Sequence, residues 1–172
     1  MAVIFRFLFP VLFLPIQVSC QEFPYGWLGF YSGEMKISSG KGTSSLSVTL
    51  DIREKIKDSI WSYKMAYQSP NGEVVKDYQI VKKSESEFVM DEGGIKIGMK
   101  YVDNTFFDFY QLDSMYFTST LRKIDSKTLT FDIYGGSLKE KDRQTTKEDS
   151  FFVYSYVPTF VQSVRLRKRR KE

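Results

Sequence analysis

The chain has 172 residues, 25 of them basic and 21 acidic, with 16% aromatic residues, one cysteine and no histidine. That length suffices for one domain with its own core, and 42% hydrophobic with 27% charged residues is the mix of a globular chain, not a disordered one. The missing histidine removes the usual general base near neutral pH, the Ser-His-Asp and Cys-His arrangements and the commonest metal ligand, and a single cysteine offers no thiolate cluster for zinc.

Residues 1–20, MAVIFRFLFPVLFLPIQVSC, differ from the rest. Arg6 precedes the apolar run FLFPVLFLPI. That run is shorter than the roughly 20 residues a membrane span needs, and it fits the apolar core of an export signal. Residues 1–20 are therefore expected to be a removed signal. Two endings fit. In one, the signal stops before Cys20, whose thiol is acylated; Val18, Ser19 and Cys20 resemble a bacterial lipobox, although Gln17 replaces its usual leucine. In the other, a signal peptidase releases a soluble protein. Either way the remaining chain, residues 21–172, holds no disulfide and is expected to form one domain.

From there on the dominant pattern has period two, the mark of half-buried strands. In GWLGFYSGEMKI, Tyr31, Gly33, Met35 and Ile37 share a face, which Trp27 and Gly29 extend. Glycine among bulky inward residues marks a bend or a close approach of another backbone. After SSGKGTS comes LSVTLDIR, with Leu46, Val48, Leu50 and Ile52 on one side. Trp61, Tyr63, Met65 and Tyr67 then alternate with small or polar residues up to the turn SPNG. Weaker pairs follow in Tyr78 with Ile80 and Phe88 with Met90, before the glycine turn DEGG. Ile95, Ile97, Met99 and Tyr101 make the next strand; after VDN, Phe107 and Phe109 make another, with Asp108 pointing outward between them. Beyond LDS lie Met115, Phe117 and Leu121, and beyond IDSK lie Leu129, Phe131 and Ile133. KEKDRQTTKEDS, without an apolar residue, reads as a mobile surface loop. Phe151, Val153 and Val157 suggest one more strand, and Val164 with Leu166 a last one.

About ten short strands joined by tight turns predict an all-β antiparallel barrel or sandwich. Charge is uneven along it. Setting Arg6 aside leaves 24 basic residues against 21 acidic ones, and the last eight residues, RLRKRRKE, hold six of the basic and one of the acidic. The basic balance thus belongs to a C-terminal tail, expected to be a solvated end. Export argues against nucleic acid as a partner.

A glycine-tryptophan element opening the first strand, here Gly26-Trp27, followed by an all-β meander, resembles the lipocalin-like, or calycin, barrels. The family spacing is G-x-W, whereas here the two residues are adjacent. The export signal, WLGFYSG, the hairpins, DEGG and the basic last strand together are similar to uncharacterised lipocalin-like exported lipoproteins of Bacteroidetes-type bacteria. The resemblance implies an up-and-down β-barrel of about 8–10 strands with an interior cavity. It also implies a place in the bacterial outer membrane or periplasm, with Cys20 as the lipid attachment.

No phosphate loop or calcium loop is present. Asp91 and Glu92, beside Gly93 and Gly94, read as exposed turn residues. The chain is accordingly expected not to be an enzyme and to need neither cofactor nor metal. Its expected function is binding of a small hydrophobic or amphipathic ligand inside the barrel, on Trp27, Tyr31, Trp61, Tyr63, Met65 and Tyr67. The alternative is a structural or partner-binding envelope lipoprotein whose barrel those side chains fill.

Overall fold

The computed structural model describes residues 23–54, 57, 59–139, 141–145 and 152–170. The expected signal and Cys20 lie outside the described residues. The elements are β1 (Gly29–Ser39), β2 (Gly42–Glu54), β3 (Ile60–Ser69), β4 (Gly72–Lys82), β5 (Glu87–Asp91) and β6 (Lys96–Val102). They continue with β7 (Thr105–Leu112), β8 (Met115–Asp125), β9 (Thr128–Ser137), β10 (Lys141–Thr145), β11 (Phe152–Tyr156) and β12 (Phe160–Arg169). Ten strands close into one antiparallel up-and-down barrel, with β12 joining β9 to β1. β10 and β11 form a separate hairpin between β9 and β12.

Alternation builds the wall. In β2, Val48, Leu50 and Ile52 are buried on the inner face. Local turn chemistry fixes the registers. Between β6 and β7 the turn is Asp103-Asn104, with φ of 46° and 58°, the left-handed pair that a two-residue hairpin requires. It sets Val102 opposite Thr105 and Tyr101 opposite Phe106. Gly33 answers the glycine question in β1. A Cβ there would lie 2.3 Å from the carbonyl oxygen of Arg165 and 2.9 Å from Val164 Cγ2, so β12 passes where a side chain would stand.

The barrel has a filled end and a hollow end. The segment 23–27 turns across the filled end, with Trp27 N donating to Pro24 O at 3.0 Å. Phe23 plugs it, meeting Trp61, Phe106 and Phe88 edge-on at centroid distances of 4.8, 5.0 and 5.6 Å. Trp27 packs on Phe23 and Phe106, at 5.7 and 5.4 Å. Edge-to-face geometry of this kind adds to the stabilisation from burial. Two hydrogen bonds latch the plug, Phe23 N to Tyr101 Oη at 3.1 Å and Lys123 Nζ to Tyr25 O at 3.2 Å.

Three segments depart from the expectations. Lys141–Thr145, read as loop, is a strand, because it pairs with β11 and stacks Lys141 and Arg143 over the rings of Tyr154 and Phe152. The strand expected around Val153 and Val157 is not in the barrel wall; Val153 and Val157 are exposed. Arg165 to Arg169, read as a tail, complete β12: Leu166 is buried inside, while Arg165 and Arg167 face solvent.

Candidate ligand-binding cavity

At the hollow end the interior opens into a cavity of about 520 Å³. β3 contributes Tyr63, Met65 and Tyr67, and β4 contributes Tyr78. β7 adds Asp108 and Tyr110, and β8 adds Ser119. Phe131 and Ile133 of β9 form an apolar side, and Lys76, Glu92 and Lys96 stand near the rim.

The polar groups are built in. Asp108 and Ser119 are paired residues of β7 and β8. Asp108 Oδ1 accepts from Ser119 N at 3.0 Å and Oδ2 from Ser119 Oγ at 2.5 Å. Burial pushes the Asp108 carboxyl above the ordinary carboxylate range, and the two bonds from Ser119 offset only part of that rise. The phenols are displaced upward as well. Burial holds Tyr67 and Tyr110 at about 12, with neighbouring Tyr110 adding to the rise at Tyr67 and Asp108 to that at Tyr110. Burial, then the neighbours Tyr67, Asp108 and Tyr78, raise Tyr63 well above its ordinary value. Tyr78 is raised by burial and by Glu92, whose carboxylate accepts its hydrogen bond. The cavity therefore presents protonated phenols, able to donate and to accept, beside the carboxyl groups of Asp108 and Glu92.

Of the six aromatic and methionine side chains singled out in the sequence, Tyr63, Met65 and Tyr67 line this cavity. Trp27 and Trp61 belong to the filled end, and Tyr31 donates to Trp27 O at 2.8 Å. Alternation in β3 marks its inner face, but two residues along that face separate plug from cavity. Asp108, expected outward, points inward; aromatics on both faces of TFFDFYQL hide the phase of the alternation. The turn carried the missing signal. A two-residue Asp103-Asn104 turn sets inward Tyr101 opposite Phe106, which makes Phe106, Asp108 and Tyr110 the inner face. Glu92, expected in an exposed turn, meets the cavity, while Asp91 accepts from Gly93 N at 2.9 Å. Among the described residues no group of three or more metal-ligating side chains occurs.

No family model and no curated protein matches the chain. Solved structures do. The S-type phycobiliprotein lyase CPES from Guillardia theta is similar at a TM-score of 0.59 and 8% identity, over 86% of this chain and 90% of that one. A DUF3598-family protein of unknown function from Nostoc punctiforme is similar at a TM-score of 0.60 and 14% identity, over 84% of this chain. The match spans 48% of that protein, so this chain corresponds to about half of it. These similarities show the fold, and the ten-stranded antiparallel barrel fits a lipocalin-like, calycin architecture. They also correct one expectation. A protein of this architecture is named a lyase, so a histidine-free barrel is no ground for declaring the chain not an enzyme.

Proposed function

We propose that the hollow half of the barrel binds a small molecule with an aromatic or apolar body and several hydrogen-bonding groups. The observation that supports this most is the Asp108 carboxyl, held by Ser119 inside a cavity of about 520 Å³ and ringed by tyrosines that remain protonated. Small-ligand sites are typically about 300–1,000 Å³, mostly apolar, with a few placed polar groups. Burying the ligand's apolar surface against Met65, Phe131 and Ile133 contributes about 25 cal/mol per Å². The phenols and Asp108 fix its orientation.

Fluorescence titration with dansylamide, an aromatic probe carrying hydrogen-bond donors, tests the reading. Saturable binding and a rise in melting temperature are expected for the natural chain. Ile133→Trp, which adds bulk to the cavity wall, is expected to lose both while keeping its circular dichroism. Absence of saturable binding, or binding that Ile133→Trp leaves unchanged, contradicts it.

The same reading takes Cys20 as a lipid attachment in a bacterial envelope, supported by the apolar run and by Val18-Ser19-Cys20. Partition of the exported protein into a detergent phase, lost in Cys20→Ala, is the expected result. A second reading, contact with a protein partner, draws on the hairpin, where Phe152, Val153 and Tyr154 are exposed. Deleting 141–156 separates the two, since ligand binding is expected to survive it.

A further inference from the structure

The barrel wall has an open seam. β6 and β7 pair only at Val102–Thr105, Tyr101–Phe106, Lys100–Phe107 and Met99–Asp108. β6 nevertheless runs on to Lys96 and β7 on to Leu112. Their other neighbours stay zipped there: β5 pairs with β6 as far as Asp91–Lys96, and β7 with β8 as far as Leu112–Met115. The gap between Gly98 and Phe109 thus lies between β6 and β7 alone at this level of the wall.

Outside it lies a second hollow, of about 600 Å³. Its walls include outward residues, Val89, Phe107 and Phe109, and also inward ones, Phe88, Met99 and Asp108. Residues of both faces of the wall thus border the groove. Gly98 and Asp108 border both this groove and the inner cavity. A Cβ at Gly98, on the outward face of β6, would meet no atom within 4 Å, so the groove is uncovered at that point. Phe109, 74% exposed, and Phe107, 40% exposed, offer apolar surface outside it. Exposed aromatic surface beside a groove is the kind of patch that a ligand covers.

The two hollows differ in chemistry. The inner one sets phenols and carboxyls beside an apolar side, whereas the outer one has no phenol and sets Val89, Phe107 and Phe109 beside Lys83, Glu87 and Lys100. We propose that the ligand is an amphiphile whose polar, aromatic head sits in the tyrosine cavity and whose apolar tail leaves sideways through the β6–β7 seam, past Gly98 and Asp108, onto Phe107 and Phe109. The inference rests on the cavity reading above and adds the ligand's class and its path. Asp108, at the crossing, marks where head gives way to tail.

Two probes with one head test it: dansylamide and N-dodecyl dansylamide. The tail is expected to tighten binding by about tenfold or more through apolar burial. Val89→Trp, beside Gly98 on the outer groove and away from the inner cavity, is expected to remove that gain while leaving dansylamide within about twofold of the natural chain. Phe109→Ser, at an exposed position that does not threaten the fold, is expected to reduce the gain as well. A tail that brings no gain overturns the inference, and so does a gain that survives both substitutions, because the tail then leaves by the barrel mouth. If dansylamide itself does not bind, the cavity reading falls and the seam inference with it. If only the tail's gain is missing, the seam inference falls alone.

Discussion

Asp108 and Ser119 face each other across β7 and β8, and one serine occupies both oxygens of the carboxyl group, through its backbone N–H at 3.0 Å and its hydroxyl at 2.5 Å. Hydrogen bonds to a charged group are stronger than neutral ones, and a partly buried carboxylate left short of a donor is costly. Ser119→Ala is therefore expected to destabilise the barrel by about 1–3 kcal/mol in urea unfolding at neutral pH. A change below about 0.5 kcal/mol, the usual size of a surface substitution, contradicts the assignment.

The same carboxyl gives stability a pH dependence. Its proton is held more tightly in the folded barrel than in the unfolded chain, because burial outweighs the bonds from Ser119. The stability linked to this group is then fully present below the ordinary carboxylate value, about pH 4, and is lost as pH rises through the raised folded value. Asp108→Asn has no such loss. Its stability relative to the natural chain is expected to climb between about pH 4 and neutrality, and a difference that stays flat across that range counts against a buried Asp108.

Filled and hollow ends respond oppositely to substitution. Trp61 is 2% exposed and packs on Phe23, so Trp61→Ala is expected to cost about 3–5 kcal/mol. Wherever that variant remains folded, dansylamide affinity is expected to be unchanged. Tyr67→Phe removes only a phenol of the cavity, and it is expected to weaken dansylamide by about fivefold with little loss of stability. Calorimetry of both variants with and without probe checks the pair; a cavity reaching Trp61 reverses the first outcome.

Two glycines on opposite sides of the barrel are expected to differ sharply. Gly33→Ala drives a methyl against the Arg165 carbonyl at 2.3 Å, and since that atom is backbone, β1 and β12 must separate. A loss of about 1–3 kcal/mol is expected. Gly98→Ala meets open space and is expected to stay within about 0.5 kcal/mol of the natural chain. Equal losses at the two positions would show that β12 does not pass over Gly33.

Period-two alternation made most of the wall legible in the sequence. Val48, Leu50 and Ile52, and likewise Trp61, Tyr63 and Met65, announce their inner face because the other face is polar. The site was less legible, for two physical reasons. Where aromatics stand on both faces, as in β7, alternation has no phase, and only the register passed through the Asp103-Asn104 turn places Asp108 inside. Depth along the barrel axis also has no period. Trp61 and Tyr67 share a face, yet one is plug and the other cavity wall, because Phe23 arrives from outside the strand and fills one end. The basic end misled for a related reason. Arg165 and Arg167 look like a charged tail until pairing with β9 reveals them as the wet face of the closing strand.

The hollow half of the barrel as a ligand site is tested most directly by native mass spectrometry of the protein purified without denaturation, beside Ile133→Trp treated in the same way. The expected result is extra mass on the natural chain that denaturation releases and that the Ile133→Trp barrel lacks. The bare chain mass for both, with no rise in melting temperature when dansylamide is added, would contradict it.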